Sequence, residues 1–290
     1  MSTPTIRPYI PTDAAALAAL SEPARTPAQV RRALAALLDG GGHAWVLVAD
    51  DRVAGYAALA PAPGLAGVGD LDGRIVPHYQ RQGLGSRLLE RVLAALPALG
   101  YRQVTHAVAD LAEPAARFLL RHDFSVAHVE RTMRLEDLGR LPPLPVWPHL
   151  AVRTLPRATA VALFCRLYDH SFGPWPWYQP YTLAEVAATL ARARDLQFLH
   201  LEDEPVGFAW LQQDGQAGII EPFGVAPAQQ GRGYGRYLLI AALHTLAARG
   251  VTAVQISAWE QNQAALRLYR SLGFRPHAAL TYLTRNVNAA

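Results

Sequence analysis

Two stretches of this chain have the residue types and spacing to hold an anionic group. Gln80-Arg81-Gln82-Gly83-Leu84-Gly85 and Gln230-Gly231-Arg232-Gly233-Tyr234-Gly235 each open an Ala/Leu-rich segment of helical spacing. Glycine at two close positions lets the backbone approach a ligand. The first turn of the following helix leaves N–H groups without intrahelical partners. Such a loop suits a phosphate. Neither copy is a P-loop, since no Gly-Lys-Ser/Thr follows, and neither has the acidic residue that completes a dinucleotide fingerprint. Ordinary strand-to-helix turns also use glycine, so the loops by themselves leave the structural reading open.

The elements that must position these loops come in duplicate. Gln230 stands 150 residues after Gln80, and the offset holds without insertion from Val76/Ala226 through Gly100/Gly250 to Phe124/Phe274. A repeat of that length is a duplicated domain, because solenoid periods run ~20–50 residues. Between the copies, Leu138 to Pro148 contains Pro142, Pro143, Pro145 and Pro148. These residues fix φ and remove N–H donors, which neither a helix nor a central strand tolerates, so the run reads as a stiff connector. The predicted organisation is a first domain over residues 1–140, a Pro-rich linker over 141–150 and a second domain over 151–290.

Arg7 and Arg153 begin similar strand-then-helix openings in the two halves. In the second half the spacing predicts a helix from Arg157 to Tyr168. Thr182-Leu183-Ala184-Glu185 is a capping box for another helix that runs to about Arg194. Gln197–Leu201 and Val206–Leu211 read as a hairpin, and Gly218–Val225 as a strand leading into the glycine loop. A helix follows and stops at Gly250. Val254–Ala258 is then a strand, Gln263–Ser271 a helix stopped at Gly273, and two short strands fall near Pro276–Ala279 and Thr281–Arg285. The first half follows the same order, with Thr26-Pro27 opening its second helix and Asp50-Asp51 forming its hairpin turn. Each half is predicted to be α+β with a mixed sheet.

At Asn262-Gln263-Ala264-Ala265-Leu266-Arg267-Leu268-Tyr269-Arg270-Ser271-Leu272-Gly273-Phe274, taken with the loop at 230–235, the chain closely resembles the GNAT superfamily of acyl-CoA-dependent N-acetyltransferases. The resemblance covers nearly the whole chain as two tandem copies of the mixed-sheet GNAT fold. It implies acetyl-CoA as cofactor, with backbone N–H groups of Gln230, Gly231, Arg232, Gly233, Tyr234, Gly235 and Arg236 on the pyrophosphate. It also implies that the strand carrying Phe223 and Val225 splays from its neighbour, pairs with the pantetheine arm and donates an N–H to the thioester carbonyl. Asn262 would anchor that arm. The Tyr269 hydroxyl would protonate the departing thiolate, a role that suits a phenol with an ordinary pKa near ~10. Asn262 and Tyr269 lie seven residues apart and can share one helix face. As residues alone, Asn262 could equally cap its helix, and Tyr269 could pack that helix on the sheet.

For the general base the sequence offers Glu221, which alternates with Phe223 and Val225 on one strand face; a solvated carboxylate at a strand end is the equal alternative. Asp169 and His170 are further candidates, and His244 reads as surface or packing. Phe172, Trp175, Trp177, Tyr178 and Tyr181 crowd one Pro-containing loop. They suit either an acceptor pocket for a small amine or a seal between the halves. In the first copy Tyr269 becomes Leu119, Asn262 becomes Ala112, Leu272 becomes His122 and Gly273 becomes Asp123, while the glycine loop stays whole. That half is therefore expected to lack the acid and to be catalytically silent. Val76, Gln80, Arg81, Gln82, Gly83, Leu84 and Gly85 remain as a candidate second cofactor site, and His106, Asp110 or His122 as stand-in acids.

The expected activity is transfer of acetyl from acetyl-CoA to a primary amine of a small molecule or peptide, without a metal and without a covalent enzyme intermediate. A finer, diffuse likeness, which includes Gly207-Phe208-Ala209-Trp210, is to enzymes that acetylate the cysteinyl amine of a sugar-linked thiol. The rivals are a non-catalytic acyl-CoA-binding or sensing protein and a nucleotide-binding protein. The composition narrows the field further. One cysteine, Cys165, excludes an internal disulfide framework and a cysteine zinc site. Scattered arginines and a net charge of +4 argue against a nucleic-acid partner. No signal segment or membrane span is legible, so the expectation is a cytoplasmic monomer or weak homodimer with no membrane partner.

Overall fold

The computed structural model describes residues 3–20 and 24–287. Its strands are β1 (Thr5–Pro8), β2 (His43–Ala49), β3 (Arg52–Pro61), β4 (Val68–Ile75), β5 (Gln103–Val108), β6 (Ser125–Leu135), β7 (Leu150–Arg153), β8 (Leu196–Leu201), β9 (Glu204–Asp214), β10 (Ala217–Val225), β11 (Ala253–Trp259) and β12 (Arg275–Asn286). The helices are α1 (Ala14–Ala18), α2 (Pro27–Asp39), α3 (Leu84–Ala95), α4 (Pro114–Leu120), α5 (Arg157–Phe172), α6 (Leu183–Thr189), α7 (Tyr234–Ala248) and α8 (Gln263–Ser271). No helix among the described residues is long and apolar enough to cross a membrane.

Local chemistry accounts for most boundaries. Thr26 caps α2 with Gln29 closing the box and Pro27 at the first position, and Thr182 does the same for α6 with Glu185. Asp50 and Asp51 both take positive φ, as the tight turn between β2 and β3 requires. Gly250 and Gly273 occupy the left-handed stops after α7 and α8. Asp123 takes the equivalent left-handed position in the first half, at φ 61. The segment from 138 to 149 has no helix or strand, as its prolines demand.

Three boundaries differ from expectation. Helix α6 ends at Thr189, and a separate 3-10 turn at Ala193–Asp195 leads into β8. Helix α5 continues to Phe172, four residues past Tyr168. The two short strands expected at the carboxy terminus are one strand, β12, whose Thr281–Asn286 part pairs with β5.

That pairing redraws the division of the chain. One compact unit comprises Met1–Ala127 with Thr281–Ala290, and the other is His128–Leu280. The cut expected at 141–150 therefore does not coincide with the compact units. In the first unit the sheet order is β1-β2-β3-β4-β5-β12, antiparallel except for β4 against β5. Its last place is filled by Thr281–Asn286, registered on Val108–Gln103. In the second unit the order is β7-β8-β9-β10-β11-β6, antiparallel except for β10 against β11. There β6 pairs Leu135 with Val254 and Glu130 with Trp259. Each sequence half thus hands its final strand to the other half's sheet.

The exchanged strands are core components. Met133 and Leu135 of β6 pack with Leu238, Leu243, Ile256 and Phe274 in the second unit. Leu283 of β12 packs with Leu59, Leu96 and Val104 in the first. Burial of such a side chain contributes roughly 1.5–3 kcal/mol. Cys165 is buried on α5 and unbridged.

Candidate active site

The second unit's site forms where β10 leaves β11. Parallel pairing runs from Ala217/Ala253 to Ile219/Gln255 and goes no further among the described residues. On its other edge β10 stays with β9 up to Val225/Gly207, with a bulge between Ile220 and Phe223 that contains Glu221. The Ala226 N–H bonds the Val206 carbonyl at 2.8 Å. Alternation in an antiparallel ladder then aims the Gly224 and Ala226 amides at β9 and those of Phe223 and Val225 at the open edge. These are the two residues for which the sequence implied pairing with a pantetheine arm.

The loop after β10 is built for close approach. Gly231 and Gly233 take positive φ at 76 and 84. The N–H groups of residues 231 to 236 meet no backbone carbonyl among the described residues, and the helix begins at Tyr234. Gln230 contributes beyond its backbone, because its Nε2 donates to the Val225 carbonyl at 2.9 Å and ties loop to strand end. A Cβ placed on Gly235 would meet Leu268 at 3.4 Å, and one on Gly233 would meet Trp147 at 3.1 Å. The open strand edge and the unpaired amides fit a pantetheine arm and its pyrophosphate.

Around this edge the ionisable groups perturb one another. Burial, the charge of Glu130 and a hydrogen bond with it raise the Glu221 carboxyl to about 7, against a lowering bond from Ser257. Glu130 is raised too, by burial, and bonds both Glu221 and Ser257. Thr132 extends the chain, with its Oγ1 3.2 Å from Ser257 Oγ. Tyr269 is buried, packed against Phe223 at 6.5 Å and Phe274 at 6.0 Å between ring centroids. Burial and the neighbouring Glu221 charge push its phenol further up, so it stays protonated. It packs as an aromatic and keeps a protonated hydroxyl within the influence of the Glu221 carboxylate. Asn262 caps α8, its Oδ1 accepting from the Ala265 N–H at 3.1 Å, which leaves its amide NH₂ to donate elsewhere.

The aromatic loop lies against the same region. Trp175 packs on Trp259 at 5.3 Å, Phe172 on Trp259 at 6.3 Å, and Trp177 stacks on His128 at 4.3 Å. Tyr168 joins Phe172 and Tyr181, both at 4.9 Å. The Glu221 charge acts on the phenols of Tyr168 and Tyr181, so both flank the carboxylate. These rings pack together within the second unit. Asp169 is exposed and accepts from the Tyr178 hydroxyl at 2.5 Å, and His170 is exposed beside it. Neither Asp169 nor His170 acts on Glu221 or Tyr269. His244 bonds the Pro142 carbonyl at 2.9 Å, a packing role.

Sequence reasoning missed Glu130, Ser257, Trp259 and Tyr168. Glu130 gave no signal, since it lies in the first half and only the strand exchange brings it here.

The first unit repeats the splay but not the residues around it. β4 leaves β5 after Asp70/Thr105, and its ladder with β3 runs without a bulge. Its loop holds Gly83 at φ 78, with Arg81 at φ 61 where the second copy has glycine. Gln80 Nε2 bonds the Ile75 carbonyl at 2.9 Å, as Gln230 does in the second copy, and Gln82 Nε2 bonds the His78 carbonyl at 3.0 Å. Leu84 is buried at the start of α3, and Gly85 packs near Phe118. Val76 leaves the set of candidate cofactor residues: its N–H is spent on the Ala54 carbonyl at 2.9 Å, so Ile75 is the edge residue. The stand-in acids are otherwise engaged. His106 Nδ1 meets the Leu71 carbonyl at 2.7 Å, His122 Nε2 meets Ser86 Oγ at 3.0 Å, and the Asp110 carboxylate accepts from the Ala112 N–H.

These features recur across known proteins. The model of the Acetyltransferase (GNAT) family matches the chain twice, at residues 14–124 and 162–274. The chain belongs to that family and is an N-acetyltransferase with two tandem copies of the fold. It is 32% identical over 255 residues to the mycothiol acetyltransferase of Thermomonospora curvata, covering 85% of this chain and 84% of that one. It is 33% identical over 299 residues to the mycothiol acetyltransferase of Thermobispora bispora, covering 91% and 93%. Among solved structures, a GCN5-related N-acetyltransferase from Sphaerobacter thermophilus superposes with a TM-score of 0.71 at 22% identity, over 99% of this chain and 96% of that one. A tandem GNAT protein from the clavulanic acid biosynthesis pathway does so with a TM-score of 0.60 at 18% identity, covering 99% and 100%. These two likenesses concern the fold.

Proposed function

We propose that the second unit transfers acetyl from acetyl-CoA to the primary amine of a small molecule while the first unit is catalytically silent. When bound, acetyl-CoA supplies an acetyl group activated as a thioester. The Val225 N–H donates to its carbonyl oxygen, where negative charge develops during attack. Glu221 takes a proton from the acceptor ammonium, directly or through water, which frees the nitrogen lone pair. The Tyr269 hydroxyl gives its proton to the leaving sulfur and regains one from the acylated nitrogen, directly or through water. Asn262 holds the pantetheine arm through its free amide NH₂. Phe172, Trp175 and Trp259 exclude water from the cleft and receive the apolar parts of the acceptor.

The single observation that carries this reading is the meeting of Glu221, raised to about 7, with a buried, protonated Tyr269 at the open edge of β10. The first unit has Leu119, Ala112 and Ala107 in place of Tyr269, Asn262 and Ser257. The extended similarity to mycothiol acetyltransferases favours a sugar-linked cysteinyl amine as acceptor.

The test is calorimetric titration with acetyl-CoA of the wild type, Gly83→Val and Gly233→Val, followed by thiol release with a panel of amines that includes cysteinyl-glucosamine conjugates. Loss of binding and turnover in Gly233→Val alone supports the reading. Turnover lost through Gly83→Val, or no competition by coenzyme A in the wild type, overturns it.

A further inference from the structure

We propose that Glu130 is a positioning residue for the transfer reaction: it holds Glu221 in a proton-sharing carboxylate pair that faces the acceptor amine. The proposal rests on the reading of the second unit as the catalytic one.

The geometry brings three strands to one point. Glu221 sits in the bulge of β10, Ser257 lies on β11 just beyond the splay, and Glu130 and Thr132 are neighbours on one face of β6. Ser257 bonds both carboxyls, and they bond each other. Two carboxyls in contact cannot both ionise easily, so the pair retains one proton where either alone would be charged. With that proton the pair carries one negative charge, the complement of one ammonium. That proton passes to solvent water before Glu221 accepts another from the acceptor nitrogen.

The groups acting on Glu221 from each packed element are Glu130 on β6, Ser257 on β11, Tyr168 on α5, Tyr181 before α6 and Tyr269 on α8. The phenols stay neutral. His128, two residues before Glu130, is held at about 4 by burial against Trp177 and so carries no charge near neutrality. Arg131 is turned to Glu260, with Nε at 3.0 Å from its carboxylate. None of the groups acting on Glu221 is a cation, and after burial the charge of Glu130 is the largest influence on its carboxyl.

The test pairs an activity-independent titration with a rate profile. Side-chain carboxyls of glutamate-labelled protein are followed by carbon NMR against pH, without acetyl-CoA or amine, in wild type, Glu130→Gln and Ser257→Ala. The Glu221 midpoint should fall by about one pH unit or more in Glu130→Gln, because a like charge is removed. It should rise in Ser257→Ala, because a bond to the charged form is removed. The acid limb of kcat/KM should shift in the same directions. A Glu221 midpoint unmoved in Glu130→Gln overturns the pairing, as does a uniform loss of kcat at every pH without a shift. If the NMR midpoints move as expected but no amine is acetylated, the pair stands and the assignment of function fails.

Discussion

Glu130 pairs with Trp259 across β6 and β11, although the two residues come from opposite halves of the sequence. The second unit is therefore built from more than the second repeat. A fragment of residues 151–290 lacks β6, exposes the edge of β11 and loses the burial of Met133 and Leu135. It should aggregate or melt without cooperativity. A fragment starting at Ser125 should recover a cooperative melt by circular dichroism. Equal stability of the two fragments would mean that β6 is dispensable.

Tyr269→Phe keeps the ring that packs on Phe223 and Phe274 and removes only the hydroxyl. Turnover should drop by more than ~10-fold while acetyl-CoA affinity changes little, because a general acid contributes to the transition state. Steady-state kinetics and calorimetry on one preparation separate the two. A loss confined to KM would remove the proton-donor role.

The raised Glu221 carboxyl makes stability and activity move in opposite directions with pH. Its folded pKa of about 7 lies above the ordinary 4.5, so the native state binds the extra proton between these values. Stability therefore falls as pH rises from about 4.5 to about 7. Activity should rise over the upper part of that window as the base is freed. Glu221→Gln should flatten the stability profile and abolish turnover. Thermal melts from pH 4 to 8 in both proteins check the sign, and a melting point that rises with pH in wild type alone contradicts it.

Gly83 and Gly233 share a left-handed backbone but not their surroundings. A Cβ on Gly83 meets nothing within 4 Å, whereas one on Gly233 meets Trp147 at 3.1 Å. Gly83→Ala should cost only the strain of a non-glycine residue at positive φ, about 1–2 kcal/mol. Gly233→Ala should cost that and also displace the indole stacked on Tyr237. Denaturant midpoints and the fluorescence of Trp147 report both effects. A larger loss at Gly83 would reverse the argument.

Asp195 is buried between Arg249, at 2.8 Å, and Arg192, at 3.3 Å. Arg249→Leu strands most of that charge in the interior and should cost about 3 kcal/mol. Urea unfolding measures it, and the companion Asp195→Asn/Arg249→Leu variant should recover part of the loss.

Much of this architecture was legible because local chemistry decided it. The Thr182–Glu185 box, the Asp50-Asp51 turn and the stops at Gly250 and Gly273 are short-range devices with fixed residue preferences. The glycine loops and Tyr269 were legible for the same reason. What escaped was long-range. Nothing in Arg275–Asn286 signals that its end pairs with β5 of the first half, and nothing near Glu130 signals a partner at Glu221. The bulge between Ile220 and Phe223 was also invisible, since it appears only against the register of β9. Asn262 caps its helix and Tyr269 packs on the sheet, and neither contact uses up the amide NH₂ or the hydroxyl that the proposed chemistry needs.

The exchange of final strands also fixes an order of events during synthesis. Gln103 of β5 bonds Asn286, 183 residues later, so the first sheet stays unfinished until Thr281–Asn286 has left the ribosome. Until then β5 presents a bare edge, and the completed β6 waits for its own partner β11. Two nascent chains on one message could fill each other's gaps as readily as their own, and produce an interlocked dimer with native sheets. Expression level and temperature, more than any surface interaction, would then govern how much monomer is recovered.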